Sequence, residues 1–151
     1  MTSNIDSSPS IGWREWIALP DLSISQIKVK IDTGARSSAL HAFDIQQQTR
    51  QGDPWVEFKI HPLQHSQAGA ILAAAKLVDE RYVTNSGGQT QLRPVIMTDV
   101  VLGDYRWPIE LTLTNRDVMG FRMLLGRQAV RHRFLIDPGR SYLLSHQPSK
   151  K

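Results

Sequence analysis

A chain of 151 residues with 40% hydrophobic content can bury one core and is short for two independent domains. Its formal net charge of +4 comes from Lys and Arg spread along the whole length, with no long basic block, which argues against nucleic acid as a partner. Zero cysteines exclude disulfides and thiolate metal sites, and no apolar run is long enough to span a membrane.

Residues 1–11 are polar and Ser-rich without a basic start and apolar stretch, so a flexible tail is expected there, with cytoplasm as the default location. Trp13 to Leu19 and Gln26 to Ile31 read as strands separated by the turn-like Pro20-Asp21. The second of these alternates apolar and basic residues, the pattern of a half-buried strand, and delivers Asp32 at its tip before Gly34 and the small Ala35 reverse the chain. Ser38 to Ile45 continues away from that loop, and Gln51-Gly52-Asp53-Pro54 turns the chain into another alternating strand, Trp55 to Ile60.

His61 to Gly69 reads as an exposed loop. Ala70 to Lys76 is alanine-rich and favours helix on propensity alone. Tyr82 to Leu92 consists of two strand-prone arms around a tip carrying Ser86, Gly87 and Gly88. Arg93 to Leu102 and Tyr105 to Thr114 flank the hairpin turn Gly103-Asp104, with Ile109, Leu111 and Leu113 lining one face of the second arm. Met123 to Gly126 is a hydrophobic strand ending at glycine, and Gln128 to His132 suits one or two helical turns. Phe134 to Ile136 and Ser141 to Ser145 read as a pair around Asp137-Pro138-Gly139, and 147–151 as a second tail. Short strands separated by turn signals predict an all-β, small closed barrel over residues 12–146.

Asp32-Thr33-Gly34-Ala35, the glycine-tipped hairpin and Leu124-Leu125-Gly126-Arg127, in this order, resemble the retropepsin-like aspartic proteases. Trp13-Arg14-Glu15-Trp16, Leu111-Thr112-Leu113-Thr114-Asn115-Arg116 and Phe134-Leu135-Ile136-Asp137-Pro138 extend the likeness to the bacterial branch once labelled putative ATP-dependent zinc proteases, from about Gly12 to Leu144. The resemblance implies an acid-protease barrel with a flap and a short C-terminal helix, acting as an aspartic endopeptidase. It makes Asp32, Thr33 and Gly34 the catalytic loop, Ala35, Ser86, Gly87 and Gly88 substrate contacts, and Leu125, Gly126 and Arg127 the structural support beneath. It also resolves the conflict at the alanine-rich segment in favour of a strand over Ala75 to Val83 entering the flap. A two-lobed site needs two such loops, and this chain has one Asp-Thr-Gly and no internal repeat, so a homodimer is implied.

In viral relatives an acidic residue after the Asp-Thr-Gly-Ala pairs with the bracing arginine; here that position is Arg36, and Asp137 is the expected alternative acceptor for Arg127. The five histidines, His41, His61, His65, His132 and His146, form no His-Glu-x-x-His motif, and no Gly-x-x-x-x-Gly-Lys-Ser/Thr loop is present, so neither zinc nor ATP, and no cofactor, is expected. Arg81, Arg93 and Arg116 match arginines of the branch. They either line a cleft that binds carboxylates, which makes acidic peptides candidate substrates, or brace the surface in ordinary ion pairs. The branch is associated with ATP-grasp glutamate ligases, which adds such a ligase as a candidate partner. A non-catalytic module of the same fold that holds a peptide or a ligase is the alternative function.

Overall fold

A computed structural model of the chain describes residues 8–63, 69–85, 87–116 and 120–145. Nearly all regular structure is strand: β1 (Ser10–Gly12), β2 (Arg14–Leu19), β3 (Ile24–Asp32), β4 (Ser38–His41), β5 (Phe43–Arg50), β6 (Asp53–Ile60), β7 (Ile71–Thr84), β8 (Thr90–Leu102), β9 (Tyr105–Thr114), β10 (Met123–Gly126) and β11 (Leu135–Asp137). A single turn of helix, α1 (Arg127–Val130), follows β10, and a 3₁₀ turn, Pro20–Leu22, joins β2 to β3. Among the described residues no helix is long and apolar enough to cross a membrane.

The large sheet runs β2-β3-β10-β4-β9-β8-β7-β6-β5, and a further pairing of Ala18 on β2 with Val101 on β8 closes its first part into a ring. The expected all-β, retropepsin-like barrel is therefore the observed fold. Alternation builds it: on β3, Ile27, Val29 and Ile31 are buried while Lys28, Lys30 and Asp32 share the other face. One core fills the ring, with Leu40, Ile96, Leu111, Met123 and Leu125 fully buried.

The alanine-rich segment is strand from Ile71 onward. Ala73 and Ala75 are buried opposite Phe58 and Val56 of β6, so cross-strand packing with large partners overrides their helix propensity. Two expectations are corrected near the termini. Ser10 and Ile11, inside the stretch expected to be tail, belong to the strand Ser10–Gly12, which pairs in parallel with β11. Ser141 to Ser145 is not a strand and does not pair with β11. It runs beside β2, where Tyr142 N donates to Arg14 O at 3.0 Å and Ser145 Oγ accepts from Trp16 N at 2.7 Å.

The cause lies in Glu15, which is fully buried. Its Oε2 accepts from Gly12 N at 2.7 Å and Leu143 N at 2.8 Å, and its Oε1 from Leu144 N at 3.3 Å, Ser145 N at 3.1 Å and Ser145 Oγ at 2.6 Å. A carboxylate surrounded by donors fixes the C-terminal segment in an irregular path that a β-ladder does not follow.

Candidate active site

Asp32 closes β3, half-buried, and a tight turn follows in which Ala35 N donates to Asp32 O at 3.2 Å and Gly34 N to Asp32 Oδ1 at 3.1 Å. These bonds aim the carboxylate along the turn, and the other carboxylate oxygen has no partner among the described residues. The turn rests on β10, which lies parallel to β3 with Gly126 opposite Asp32 and antiparallel to β4. Gly126 N donates to Ser38 Oγ at 3.0 Å, Arg127 N to Ala35 O at 2.7 Å and Gln128 N to Arg36 O at 3.1 Å, so the start of α1 caps the loop's own carbonyls. Trp107 Nε1, donating to Ala129 O at 3.0 Å, ties α1 to β9.

Only glycine fits at position 126. An added Cβ meets Ser37 C at 2.5 Å, Ser37 O at 2.6 Å and Ala35 O at 3.0 Å, all backbone of the loop it supports. Gly126→Ala should therefore cost about 3 kcal/mol through forced displacement of the loop, read as a lowered midpoint in urea denaturation. An unchanged midpoint would mean the loop yields freely.

Leu125 is fully buried on the strand that supports the loop. Arg127 braces it too, but through a different acceptor: its Nη1 donates to Thr33 O at 3.1 Å, and no ion pair joins it to Asp137. Asp137 Oδ1 instead accepts from Gly139 N at 3.0 Å, closing its own turn. The expected Arg127–Asp137 pair is thus corrected.

β7 and β8 form the flap hairpin. Its tip is closed by Asn85 N donating to Gln89 O at 2.9 Å, Gly88 N to Asn85 O at 3.0 Å and Gln89 N to Asn85 Oδ1 at 3.0 Å, with Gly88 at φ +84°, where glycine is favoured. Ser86 lies outside the described residues, as do His65 and His146. Between flap and loop opens a cleft of about 830 Å³ whose wall includes Gly34, Ala35, Tyr82, Thr84, Trp107 and Thr112. Gly34 and Ala35 are part of the cleft wall, whereas Gly87 and Gly88 are exposed at the tip and the arms behind them line the wall.

The three arginines separate. Arg81 lines the cleft and is neutralised: it donates to Glu110 Oε2 and, at 2.8 Å, to Asp79 Oδ2, and these bonds, Glu110's first, hold it above its ordinary pKa. Arg116 is outside the wall, its Nη1 donating to Gln89 Oε1 at 2.5 Å. Arg93, directly across the ladder from Arg81, lines the cleft at 6% exposure, with Gln91 Oε1 at 3.0 Å from its Nε. Burial, and then the charge of Arg116, push its guanidinium below its ordinary pKa. Gln91 went unnoticed in the sequence, where nothing distinguishes it from its polar neighbours. Of the histidines, His61 stacks on Phe43 with ring centroids 4.4 Å apart, and His41 Nε2 sits 3.2 Å from Asn115 O.

A model of the RimB-like family, retropepsin-like aspartic endopeptidase RimB, matches residues 10–147. The chain belongs to this family. Among curated proteins it is 44% identical over 142 residues to a probable alpha-L-glutamate ligase of Shewanella halifaxensis, covering 94% of this chain and 31% of that protein. It is 46% identical over 134 residues to a protein of the same description from Parasynechococcus marenigrum, covering 89% of this chain and 29% of that one. The chain therefore spans about a third of the length of the curated relatives it matches. A crystal structure of a Legionella pneumophila protein of unknown function superposes with a TM-score of 0.74 at 28% identity, over 91% of this chain and 99% of that one.

Proposed function

We propose that this RimB-like protein is an aspartic endopeptidase whose site is completed by a second copy of the chain, so that two Asp32 carboxylates flank one water. The observation that carries this reading is a single, partly exposed carboxylate, Asp32, at the start of a hydrogen-bonded loop whose next residues, Gly34 and Ala35, line the cleft. Glu110, the acid in the cleft wall itself, is taken by Arg81, which leaves Asp32 without a second carboxylate in that wall to work with among the described residues. Two carboxylates brought close together share one proton. The ionised one takes a proton from the attacking water while the protonated one gives its proton to the substrate carbonyl oxygen. The tetrahedral diol then collapses as the leaving nitrogen is protonated and the carboxylates return to their starting state. Thr33 and Gly34 hold the loop, Ala35 offers backbone to an extended peptide, and the flap closes over it. This chemistry draws on neither metal nor nucleotide.

The names of the relatives suggest the setting: a unit alike to this chain resides in proteins described as glutamate ligases. A ligase of that kind acting in trans, and a glutamate-bearing peptide, are the partner and substrate this likeness favours. The same observation supports a second reading, a non-catalytic module that holds the ligase's peptide. Incubation with a mixed peptide library in EDTA, followed by mass spectrometry, separates the two. New termini are expected; intact peptides at concentrations where the protein is demonstrably dimeric would leave the binding module standing.

A further inference from the structure

Burying a guanidinium is costly unless an anion or a full set of acceptors compensates it. Arg93 has neither. Its Nε bonds a neutral amide, its Nη1 and Nη2 find no acceptor among the described residues, and the charge that acts on it is that of another arginine, Arg116. Arg81, on the adjacent strand and in the same wall, shows the contrast, since two carboxylates of the chain itself neutralise it. A largely buried cation with no counter-charge among the described residues, set in the wall of a cleft, is a group available to an anion from outside.

The support around Arg93 points the same way. Gln91 Oε1 accepts from Arg93 Nε and, at 2.7 Å, from Thr114 Oγ1, while Gln91 Nε2 donates to Asn115 Oδ1 at 3.2 Å. The guanidinium is therefore tied through Gln91 to the end of β9 in the body of the sheet. With Nε occupied and the Nη edge unengaged, the planar fork matches the two oxygens of a carboxylate.

Resting on the endopeptidase reading for its substrate, we propose that Arg93 is a specificity-determining residue of the cleft, seating one carboxylate of the bound peptide, with Gln91 as its positioning residue. That carboxylate is either an acidic side chain or the peptide's own C-terminus.

The test is binding, so that it stands whether or not the protein cuts. Fluorescent peptides differing by Glu against Gln, and by a free against an amidated C-terminus, are titrated onto the full chain carrying Asp32→Asn, alone and combined with Arg93→Met or Gln91→Glu. Gln91→Glu keeps the arginine and its packing but gives it an internal carboxylate, so it reports even if Arg93→Met fails to fold. The carboxylate form of one pair is expected to bind about tenfold or more tightly than its neutral twin, and this ratio should fall toward one in both variants. The pair showing the preference identifies the source as side chain or chain end. No preference in the parent, or a preference that survives Gln91→Glu and a folded Arg93→Met, overturns the proposal. Failure of hydrolysis with this pattern intact would instead count against the endopeptidase reading alone.

Discussion

Asp32→Asn is expected to lower peptide hydrolysis by at least about a thousandfold, the scale of losing a positioned acid and base together. The substitution is nearly isosteric, and the asparagine Oδ1 can still accept from Gly34 N, so the loop's own bond at 3.1 Å survives. Because Asp32 is half-buried at the sheet's end rather than in the core, stability should move by no more than about 0.5 kcal/mol. The two readouts separate chemistry from folding. Parallel measurements of turnover and of urea midpoint should show a dead but fully stable protein. A loss of activity under tenfold with the fold intact would mean that Asp32 is not the reacting group.

Glu15→Gln carries the largest expected loss of stability. Five donors converge on this carboxylate inside the core, four of them backbone N–H groups from Gly12, Leu143, Leu144 and Ser145. Glutamine keeps one acceptor oxygen and turns an NH2 group toward the remaining donors, leaving buried N–H groups without partners and removing the charge that strengthened the rest. The expected cost is about 3 to 5 kcal/mol, in the range found when one member of a buried charged network is lost. Urea denaturation measures it directly. The C-terminal segment should also exchange its amide hydrogens faster, since Leu143 N, Leu144 N and Ser145 N are all bonded to this side chain. A cost under about 1 kcal/mol would show that the segment is held by packing and backbone bonds alone.

Much of the site was legible because it is local. The alternation from Ile27 to Ile31, Gly34 after Asp32, the Gly87-Gly88 tip and the hydrophobic strand ending at Gly126 each announce themselves within a few residues, and β3, the loop, the flap and β10 stand where those signals put them. What escaped depends on partners far apart in sequence. Glu15 sits at a core-facing position of an alternating strand, and its acceptor role appears only once residues about the far end of the chain arrive beside it, so Ser141 to Ser145 read as an ordinary strand. Arg127 and Asp137 are complementary in charge and close in sequence. Yet Asp137 serves its own turn while Arg127 reaches Thr33 O, which no sequence pattern encodes. The arginines at 81, 93 and 116 look alike in the chain, and their environments make one an ion pair, one a bridge to the flap and one an unpaired buried cation.

An active site built from two copies is tested most directly by mixing wild-type protein with Asp32→Asn protein at fixed total concentration, allowing exchange, and following peptide hydrolysis. A site that needs an aspartate from each copy is silenced in the mixed dimer, so activity should fall as the square of the wild-type fraction. A linear fall would show that each chain works alone and contradict the shared site.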